Sequence, residues 1–337
     1  MKNKNLSKAE TLFEKSIICD LALGFEPELE VASKWDLIPR YLNAGFNFLG
    51  LAISGDSTSL ETTMRYLARH RNRLEQDDKI IMVNTVADIQ LAKKLNKLAV
   101  CFWFQGTNAL NNDINMVDIY YDLGVRYLLL TYNKRNAVGD GCAETHDGGL
   151  SDFGRLLIER MNKVGMLIDL SHASLKTSLD VMACSEDPVI FSHSNVFSVH
   201  PHPRNLKDQQ IKVCAAKGGI IGINGANMLL GEKGATIEAM IEHIDAISQL
   251  VGSEYVSLGL DLVYFHSVLE LFFEKTNPGV YSKEYLSNMD PQSWQSVQPE
   301  SILHLIEGLQ KRGYKNDAIQ GILGENFLRV TKEVWRS

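Results

Sequence analysis

Residues 164–208 read VGMLIDLSHASLKTSLDVMACSEDPVIFSHSNVFSVHPHPRNLKD and contain one arrangement twice: an apolar run followed directly by a serine and a histidine. The apolar runs are Val164–Leu170 and Pro188–Phe191, and the segment between them, Leu175–Ser185, has the pattern of a helix. An apolar run, a helix and a second apolar run predict a β-α-β unit, whose two strands are parallel neighbours. We therefore expect a parallel sheet with helices between its strands.

The two histidines of this unit, His172 and His193, follow the carboxyl ends of the two predicted strands. They should open onto the same edge of the sheet, separated by one strand spacing of roughly 5 Å. At that distance two imidazoles can bind one divalent metal ion. Either histidine alone could be a core residue bonded to a neighbouring backbone group, but two at equivalent strand ends favour a metal-binding or catalytic pair.

Apolar runs recur along the whole chain, with segments of helical periodicity between them. Nine runs could form strands: Ile17–Cys19, Phe46–Ile53, Ile80–Val83, Leu98–Phe104, Val125–Leu130, Val164–Leu170, Val189–Phe191, Gly219–Ile223 and Val256–Leu260. This alternation, without a Gly-x-Gly-x-x-Gly motif after the first strand, favours an α/β fold of the closed (β/α)8 TIM barrel type over a doubly wound sheet. One of the nine runs is then in excess.

Residues 1–337 are predicted to form a single domain, because no linker or shift in composition divides the chain. Residues 263–299 are unusual, being rich in aromatic and polar residues with little periodicity. They follow the strand predicted to end at Asp261, and insertions at that end of a barrel usually frame the active site. We expect this insertion, 263–299, to do so.

Composition and charge narrow the classes of function. The chain has 337 residues, of which 45% are hydrophobic and 22% charged, which is typical of a globular protein with a large core. Its net charge of −7, without a lysine or arginine cluster, argues against a nucleic-acid or anionic-membrane partner. The first residues carry charges throughout, and no run of 18 apolar residues occurs, so we expect a cytoplasmic protein.

Polar residues at the predicted strand ends are the candidates for chemistry, because the reactive residues of such barrels lie there. They are Asp20, Gln105, Tyr132, Asn133, Asn136, His172, His193, Arg204, Asn205 and Asp261. Asp261 is the best candidate for a general base, since an acid at an otherwise apolar strand end is costly unless it is used. Arg204, in a Pro-His-Pro-Arg-Asn loop, could bind a carboxylate through its two-pronged guanidinium.

Several candidates also have structural interpretations. Asp20 could cap the next segment, Gln105 could form a turn with Gly106, and Tyr132 could belong to the core. Cys142, one of five widely spaced cysteines, lies in a glycine-rich loop where its thiol could face a site or have no role.

Motifs in a fixed order run along nearly the whole chain. They are Gly124–Asn133, Gly149–Gly154, Met161-Asn162, Gly165–His172, Ser192–Ser194, His202–Asn205, Gly259–Asp261 and Gly324–Arg329. Together they resemble the membrane (renal) dipeptidase family, and the resemblance implies a metal-dependent-hydrolase-like TIM barrel that hydrolyses dipeptides with two bridged zinc ions. It also implies that His172 and His193 bind one zinc ion, that Asp261 is the acid/base and that Arg204 meets the substrate carboxylate.

The chain departs from the family pattern at the other metal ion. Ala22 and Gly24 stand where the family has the histidine and aspartate that bind it, and Gln105 stands where a glutamate bridges both ions. A neutral amide is a poor bridge because it cannot offset the repulsion between two dications. The family's substrate-polarising histidine corresponds to Tyr132.

We therefore expect a divergent metallohydrolase that cleaves an amide or peptide-like bond in a small carboxylate-bearing substrate. It would use at most one divalent ion per chain, zinc, bound by His172 and His193 and completed by Gln105, Asp20, Cys142 or Glu144. Asp261 would transfer the proton, and Tyr132 or the ion would stabilise the oxyanion.

Two other functions stay open. The chain could be an inactive family member that binds a small amino-acid derivative or dipeptide; the arginine and the lost metal ligands fit this, whereas the retained histidines and acid do not. It could also be a metal-free hydrolase with Cys142 as nucleophile.

The expected partner is a small molecule, a dipeptide or an N-acyl or amide derivative of an amino acid, bound by Arg204, Asn205 and Tyr132. We expect no nucleic-acid or membrane partner, and a homodimer is compatible with the sequence.

Overall fold

The computed structural model describes residues 6–268, 272, 274, 276 and 290–336. The strands found there are β1 (Cys19–Gly24), β2 (Phe48–Gly55), β3 (Ile80–Met82), β4 (Leu98–Gln105), β5 (Val125–Leu129), β6 (Leu167–Asp169), β7 (Ile190–Phe191), β8 (Ile220–Ile223) and β9 (Val256–Leu258).

The strands form one parallel sheet that closes into a barrel. Their order is β1-β2-β4-β5-β6-β7-β8-β9, and the last strand returns to the first through a hydrogen bond from Asp261 N to Ala22 O at 3.0 Å. The remaining strand, β3, pairs only with the beginning of β4 and lies off this path. The predicted (β/α)8 barrel is confirmed, and β3 is the predicted strand in excess.

Helices separate the strands. They are α1 (Lys8–Lys15), α2 (Leu37–Asn43), α3 (Leu60–Glu75), α4 (Val86–Leu95), α5 (Met116–Asp122), α6 (Asp152–Val164), α7 (Leu175–Cys184), α8 (Asp208–Ala216), α9 (Asn227–Leu230), α10 (Ile237–Leu250), α11 (Ile302–Lys311), α12 (Asn316–Gln320) and α13 (Asn326–Val334). Helix α3 shows how the sequence sets them: the Ser59 side chain caps its first turn by accepting from Thr62 N, and Tyr66, Leu67 and Leu74 bury one face.

The barrel interior is filled by side chains from alternate strand positions, as barrels of this size require. Phe48, Trp103 and Tyr127 belong to this inner cluster, and the rings of Trp103 and Tyr127 stack with centroids 5.1 Å apart. The Tyr127 hydroxyl donates to Leu21 O across the barrel. The interior is therefore packed, and chemistry is confined to the ends of the strands.

Two predicted boundaries were wrong. The first strand is Cys19–Gly24 rather than Ile17–Cys19, so Asp20 lies inside the strand and not at its end. Its carboxylate accepts from Ala22 N, Leu260 N and the Tyr41 hydroxyl, and these bonds make a buried acid tolerable within a strand. The run from Val164 divides between the end of α6 and the short strand β6, because Gly165 ends the helix in a left-handed conformation (φ 86°).

Across the described part of the chain, no helix combines the length and apolar character needed to cross a membrane. The organisation of residues 1–337 as a single domain stays a prediction.

Candidate active site

One pocket at the carboxyl ends of the strands brings together six residues predicted from the sequence. It has a volume of about 650 Å³ including its open mouth. The six residues in its lining are Gln105, Tyr132, Asn133, His172, Arg204 and Asp261. Three of them, Asn133, His172 and Asp261, have left-handed backbones with φ of 60°, 67° and 50°. Such strain in residues other than glycine is concentrated at functional sites.

The insertion predicted at 263–299 contributes an apolar wall to this pocket. Val263, Phe265, Phe272 and Trp294 all lie in the lining. Residues 269–271, 273, 275 and 277–289 of the insertion lie outside the described residues. That the whole insertion frames the site therefore stays a prediction.

The imidazoles of His172 and His193 meet directly, with their Nε2 atoms 3.0 Å apart. His172 is 7% exposed and His193 is fully buried. Burial, followed by the positive charge of Arg204, lowers the pKa of both imidazoles well below the usual value, so both are neutral at neutral pH. Neutral imidazole is the form that binds metal ions.

The Nδ1 atom of each histidine, on the side of the ring away from the other histidine, has an oxygen partner. His172 Nδ1 lies 2.7 Å from Asn133 Oδ1, and His193 Nδ1 lies 2.6 Å from Ser192 Oγ. An amide oxygen only accepts, so His172 carries its proton on Nδ1. Ser192 Oγ donates its proton to Asp169 Oδ2 when Asp169 is ionised. The oxygen of Ser192 is then free to accept a hydrogen bond from His193 Nδ1.

Asp169 therefore orients His193 through Ser192, a role that the sequence reasoning missed. The Asp169 carboxylate is fully buried, and its Oδ1 accepts from the backbone N–H groups of Ser171 and Ser192 at 3.0 Å each. Burial raises the pKa of Asp169, and the bonds from Ser192 and Ser171 oppose that shift. The sequence signal is an acid that ends a strand two residues before a serine, and the prediction of the apolar run Val164–Leu170 includes this acid without a role.

With both protons on Nδ1, the two Nε2 lone pairs face each other at 3.0 Å, which is repulsive unless a cation lies between them. Two nitrogens on one tetrahedral zinc ion, each at about 2.0–2.1 Å, would be roughly 3.4 Å apart, close to the observed spacing. Within the described residues, no cluster of three or more His, Cys, Asp or Glu side chains is arranged to hold a metal ion. The histidine pair would thus fit one ion completed by water or substrate, and the described residues offer no ligand cluster for a bridged pair of ions.

The further candidate ligands have other partners. Glu144 Oε1 accepts from Arg135 N at 2.8 Å. Gln105 Nε2 donates to Glu26 Oε1 at 2.7 Å, and the Asp20 carboxylate is occupied by the bonds described above. The Cys142 thiol donates to Asn133 Oδ1 at 3.3 Å. Burial raises the pKa of Cys142 to about 11, so the protonated thiol predominates at neutral pH, which disfavours Cys142 as a nucleophile.

Asp261 is placed beside the same pocket after β9. Its Oδ2 accepts from Asn224 Nδ2 at 2.9 Å. Burial raises the pKa of Asp261, and the bond from Asn224 and the charge of Arg204 oppose the shift. A carboxylate with a raised pKa accepts a proton more readily, as general-base catalysis requires.

Arg204 is 8% exposed, and its guanidinium is held by protein oxygens. Nη2 donates to His193 O at 2.9 Å, and Nη1 donates to Ser194 Oγ at 3.4 Å. No acidic side chain in the described ranges forms a salt bridge with it. Because a buried charge is stable only when it is compensated, Arg204 is suited to receive an anionic group of a ligand.

Tyr132 and Asn205 differ in their relation to the pocket. The Tyr132 ring stacks on His172, with centroids 4.2 Å apart. Asn205 Nδ2 donates to His200 O and Leu229 O at 2.9 Å each, which holds the loop that carries Arg204. Substrate contact by Tyr132 and by Asn205 stays a prediction, and the bonds of Asn205 indicate a positioning role.

A second acid that the sequence reasoning missed, the partly buried Asp56, organises the loops around Tyr132. Its carboxylate accepts from Thr107 N at 2.7 Å, from Tyr132 N at 2.9 Å and from Asn136 Nδ2 at 2.9 Å. Asn136, a site candidate from the sequence, therefore ties the loop after β5 to the loop after β2.

Comparisons with known proteins show the family and the fold. Residues 48–268 match the family described as membrane dipeptidase (peptidase family M19). An uncharacterized dipeptidase of Schizosaccharomyces pombe is 29% identical over 303 residues, which cover 88% of this chain and 66% of that protein. The chain spans about half to two thirds of the length of the curated relatives it matches.

Solved structures show the same fold. An amidohydrolase from Pseudomonas aeruginosa superimposes with a TM-score of 0.87 at 28% identity, covering 98% of this chain and 99% of that chain. A metallo peptidase from Rhodobacter sphaeroides, solved with a phosphinate mimic of the dipeptide L-Ala-D-Ala, superimposes with a TM-score of 0.75 at 19% identity, covering 95% and 100%. Because the family match covers more than half of the chain and its motifs converge on one pocket, the chain belongs to the membrane dipeptidase family.

Proposed function

We propose that this protein is a hydrolase that cleaves an amide or peptide-like bond in a small carboxylate-bearing substrate, with at most one divalent ion per chain. The observation that carries the proposal is the convergence of His172 Nε2 and His193 Nε2, 3.0 Å apart, in contact with a pocket that also holds Arg204 and Asp261. Family membership and the dipeptide mimic bound to a structural relative support a dipeptide-like substrate.

Each residue of the pocket has a distinct role in the proposed reaction. Arg204 binds the substrate carboxylate and so positions the scissile bond within the pocket. Asp261 takes a proton from the attacking water and delivers it to the leaving amine. His172 and His193 would hold the ion, with Nδ1 protons directed to Asn133 and Ser192, and Tyr132 would donate to the oxyanion.

An ion bound by the histidine pair supplies Lewis acidity and lowers the pKa of water. We propose zinc, because two imidazoles suit it and the family is one of metallopeptidases. The cytoplasmic location and the homodimer stay predictions, as does the absence of nucleic-acid and membrane partners.

The proposal is tested by purifying the protein without chelator and measuring its metal content and its hydrolysis of a panel of dipeptides and N-acyl amino acids, with zinc or manganese added. We expect hydrolysis that a chelator stops and that Asp261→Asn slows roughly a hundredfold or more. Turnover of ordinary dipeptides should be below the roughly 10 per second of a typical enzyme. The reason is that Gln105 stands where the family has its bridging glutamate, and Tyr132 stands where the family has its substrate-polarising histidine. Hydrolysis that a chelator leaves unchanged would refute the metal-dependent mechanism.

A second function, binding without catalysis, is favoured by one observation: only two of the described residues converge as metal ligands, whereas the anion-binding arginine is intact. Under this function the protein binds a dipeptide or amino-acid derivative and hydrolyses nothing. Ligand binding that depends on Arg204 but is indifferent to metal, without turnover of any panel member, would establish it.

A further inference from the structure

One half of the pocket is lined by apolar side chains that the proposed mechanism does not use. They come from the loops after β8, β9 and β1, which are neighbours in the closed barrel. We call them the apolar half of the pocket, and they are Met228, Val263, Phe265, Phe272, Trp294 and Leu29. Met228 and Val263 are half-buried, so this half has surface that a ligand can cover.

The other half of the pocket is polar. Gln105, Tyr132, His172 and Arg204 lie at the ends of β4 to β7 and line it. A substrate that gives its carboxylate to Arg204 has that end in the polar half. Because the scissile amide separates the carboxylate from the acyl group, the acyl group would extend across the pocket to the apolar half.

The apolar half is formed before any ligand binds. The rings of Phe265 and Phe272 are in contact with centroids 5.1 Å apart, and together with Leu29 and Trp294 they belong to one hydrophobic cluster. Leu29 fills the space beside β1, since a Cβ atom added to Gly24 would be only 2.8 Å from Leu29 Cδ1. A preformed apolar surface gains free energy when a ligand excludes water from it.

The apolar half offers no partner for a charged acyl group. Five of its six side chains carry no nitrogen or oxygen, and the Trp294 indole N–H can only donate. Among the described residues of the lining, Asp261 is the only acid, and the proposed mechanism uses it as the base. Glu26 is buried, accepts from Gln105 Nε2 at 2.7 Å and does not line this pocket. An ammonium group on the acyl portion would therefore be buried without an acid to pair with, which is costly.

We propose that the apolar half binds an uncharged apolar acyl group, so that the substrate is an amino acid whose nitrogen carries an aromatic or branched aliphatic acyl chain. Arg204 binds the carboxylate of this substrate. Such a compound lacks the free amino group of a dipeptide, and the site selects it over dipeptides for that reason. This inference rests on the proposed function for the position of the cleaved amide, but the binding preference does not require cleavage.

The test compares the binding of three uncleavable analogues of acylated alanine, in which a methylene group replaces the amide N–H. Their acyl groups are acetyl, 3-phenylpropanoyl and phenylalanyl, and the last is 3-phenylpropanoyl with a free amino group added. By calorimetry, the wild-type protein should bind the 3-phenylpropanoyl analogue about 10- to 100-fold more tightly than the acetyl analogue, the range for burying one aromatic side chain. It should bind the phenylalanyl analogue about tenfold or more weakly than the 3-phenylpropanoyl analogue.

An acid placed in the apolar half should reverse the second preference. Met228→Glu supplies a carboxylate for the ammonium group, so the phenylalanyl analogue should bind at least as tightly as the 3-phenylpropanoyl analogue. Met228→Gln has nearly the same size without the charge and should not show this reversal. The matched control is Leu91→Glu, which places the same charge at a 44% exposed leucine of α4 outside the pocket lining. It should leave both preferences unchanged.

Removing a ring from the apolar half should weaken the first preference. Phe265→Ala should lower the preference for 3-phenylpropanoyl over acetyl about threefold or more, because less apolar surface is covered. If this variant does not fold, as judged by thermal unfolding, Met228→Gln gives the same measurement at a half-buried position and should lower the preference about two- to threefold.

The inference is overturned if the wild-type protein binds the acetyl and 3-phenylpropanoyl analogues equally, if it binds the phenylalanyl analogue as tightly as the 3-phenylpropanoyl analogue, or if it binds none of the three. It is also overturned if the first preference survives both Phe265→Ala and Met228→Gln, or if Leu91→Glu produces the same reversal as Met228→Glu. The expected preferences without hydrolysis of any N-acyl amino acid would refute the hydrolase and leave this inference intact. Chelator-sensitive hydrolysis of dipeptides in preference to N-acyl amino acids would do the reverse.

Discussion

His172 and His193 present their Nε2 atoms to each other at 3.0 Å, while the Nδ1 atom of each faces an oxygen of the protein. Two neutral imidazoles in that state repel each other through their lone pairs. A cation shared by the two Nε2 atoms would relieve this repulsion.

Replacing His172 or His193 with Ala should abolish metal binding and hydrolysis together, because the described residues hold no larger cluster of His, Cys, Asp or Glu that could replace the pair. Elemental analysis of the wild-type protein should give at most one divalent ion per chain. The control is His243→Ala, which removes another buried histidine, one that accepts from Val196 N at 3.1 Å, lies 3.3 Å from Leu230 O through Nε2, and bonds to neither member of the pair. That variant should be less stable yet bind metal normally. Two ions per chain at full occupancy would contradict the prediction.

Ser192→Ala should weaken metal binding about 10- to 100-fold, the usual effect of removing a group that orients a histidine ligand. The reason is that Ser192 Oγ links His193 Nδ1 to Asp169. Affinity is measured by competition with a chromogenic chelator. Ser178→Ala, at a serine bonded to Gln210 Nε2, is the control and should leave affinity unchanged. Equal affinity in both variants would show that Ser192 has no orienting role.

Asp261→Asn should keep the bound ion and lower turnover roughly a hundredfold or more, the usual contribution of a positioned general base. Because burial raises the pKa of Asp261, the wild-type rate should fall as the pH drops through a value above the ordinary 3.8 of an aspartate. The pH–rate profile of Asp261→Asn should lack that acidic limb. An unchanged limb in the variant would assign the titration to another group.

Arg204→Ala should weaken binding of a dipeptide mimic about 10- to 100-fold and should leave the affinity for its C-terminal amide nearly unchanged. Arg204→Lys should recover only part of the loss, because lysine keeps the charge without the two-pronged geometry. Calorimetry with the acid and the amide provides the comparison. If both ligands lose affinity equally, Arg204 acts on the shape of the pocket rather than on the carboxylate.

Asp20→Asn should leave metal affinity unchanged and stabilise the protein at pH 8 relative to wild type. Burial raises the pKa of Asp20 to about 7 against an ordinary value of 3.8, so the folded state holds a proton that the unfolded state has released. The stability contributed by the protonated acid is therefore lost as the pH rises from about 4 to 7. Thermal unfolding at pH 5 and pH 8 should show a larger gain at pH 8. Loss of metal binding in this variant would show that Asp20 is a metal ligand.

Much of the fold could be predicted because apolar runs and helical periodicity are local properties. The unit from Val164 to Phe191 predicted parallel neighbours, and β6 and β7 are indeed paired, at Asp169 and Ile190. The same unit predicted that His172 and His193 would meet. Their side chains do so because both strands end at the same edge of the barrel.

The alternation of strands and helices and the residue types that reach the pocket could be predicted from the sequence. The partner that each polar side chain takes depends instead on how the whole chain packs. Barrel closure brings Leu260 N to Asp20, 240 residues apart in sequence, and turns that acid into part of the scaffold. The same closure leaves Glu26 Oε2 buried without a partner beside Gly24. Local periodicity reports whether a residue is buried, but the hydrogen bonds that a buried group makes depend on chain segments distant in sequence.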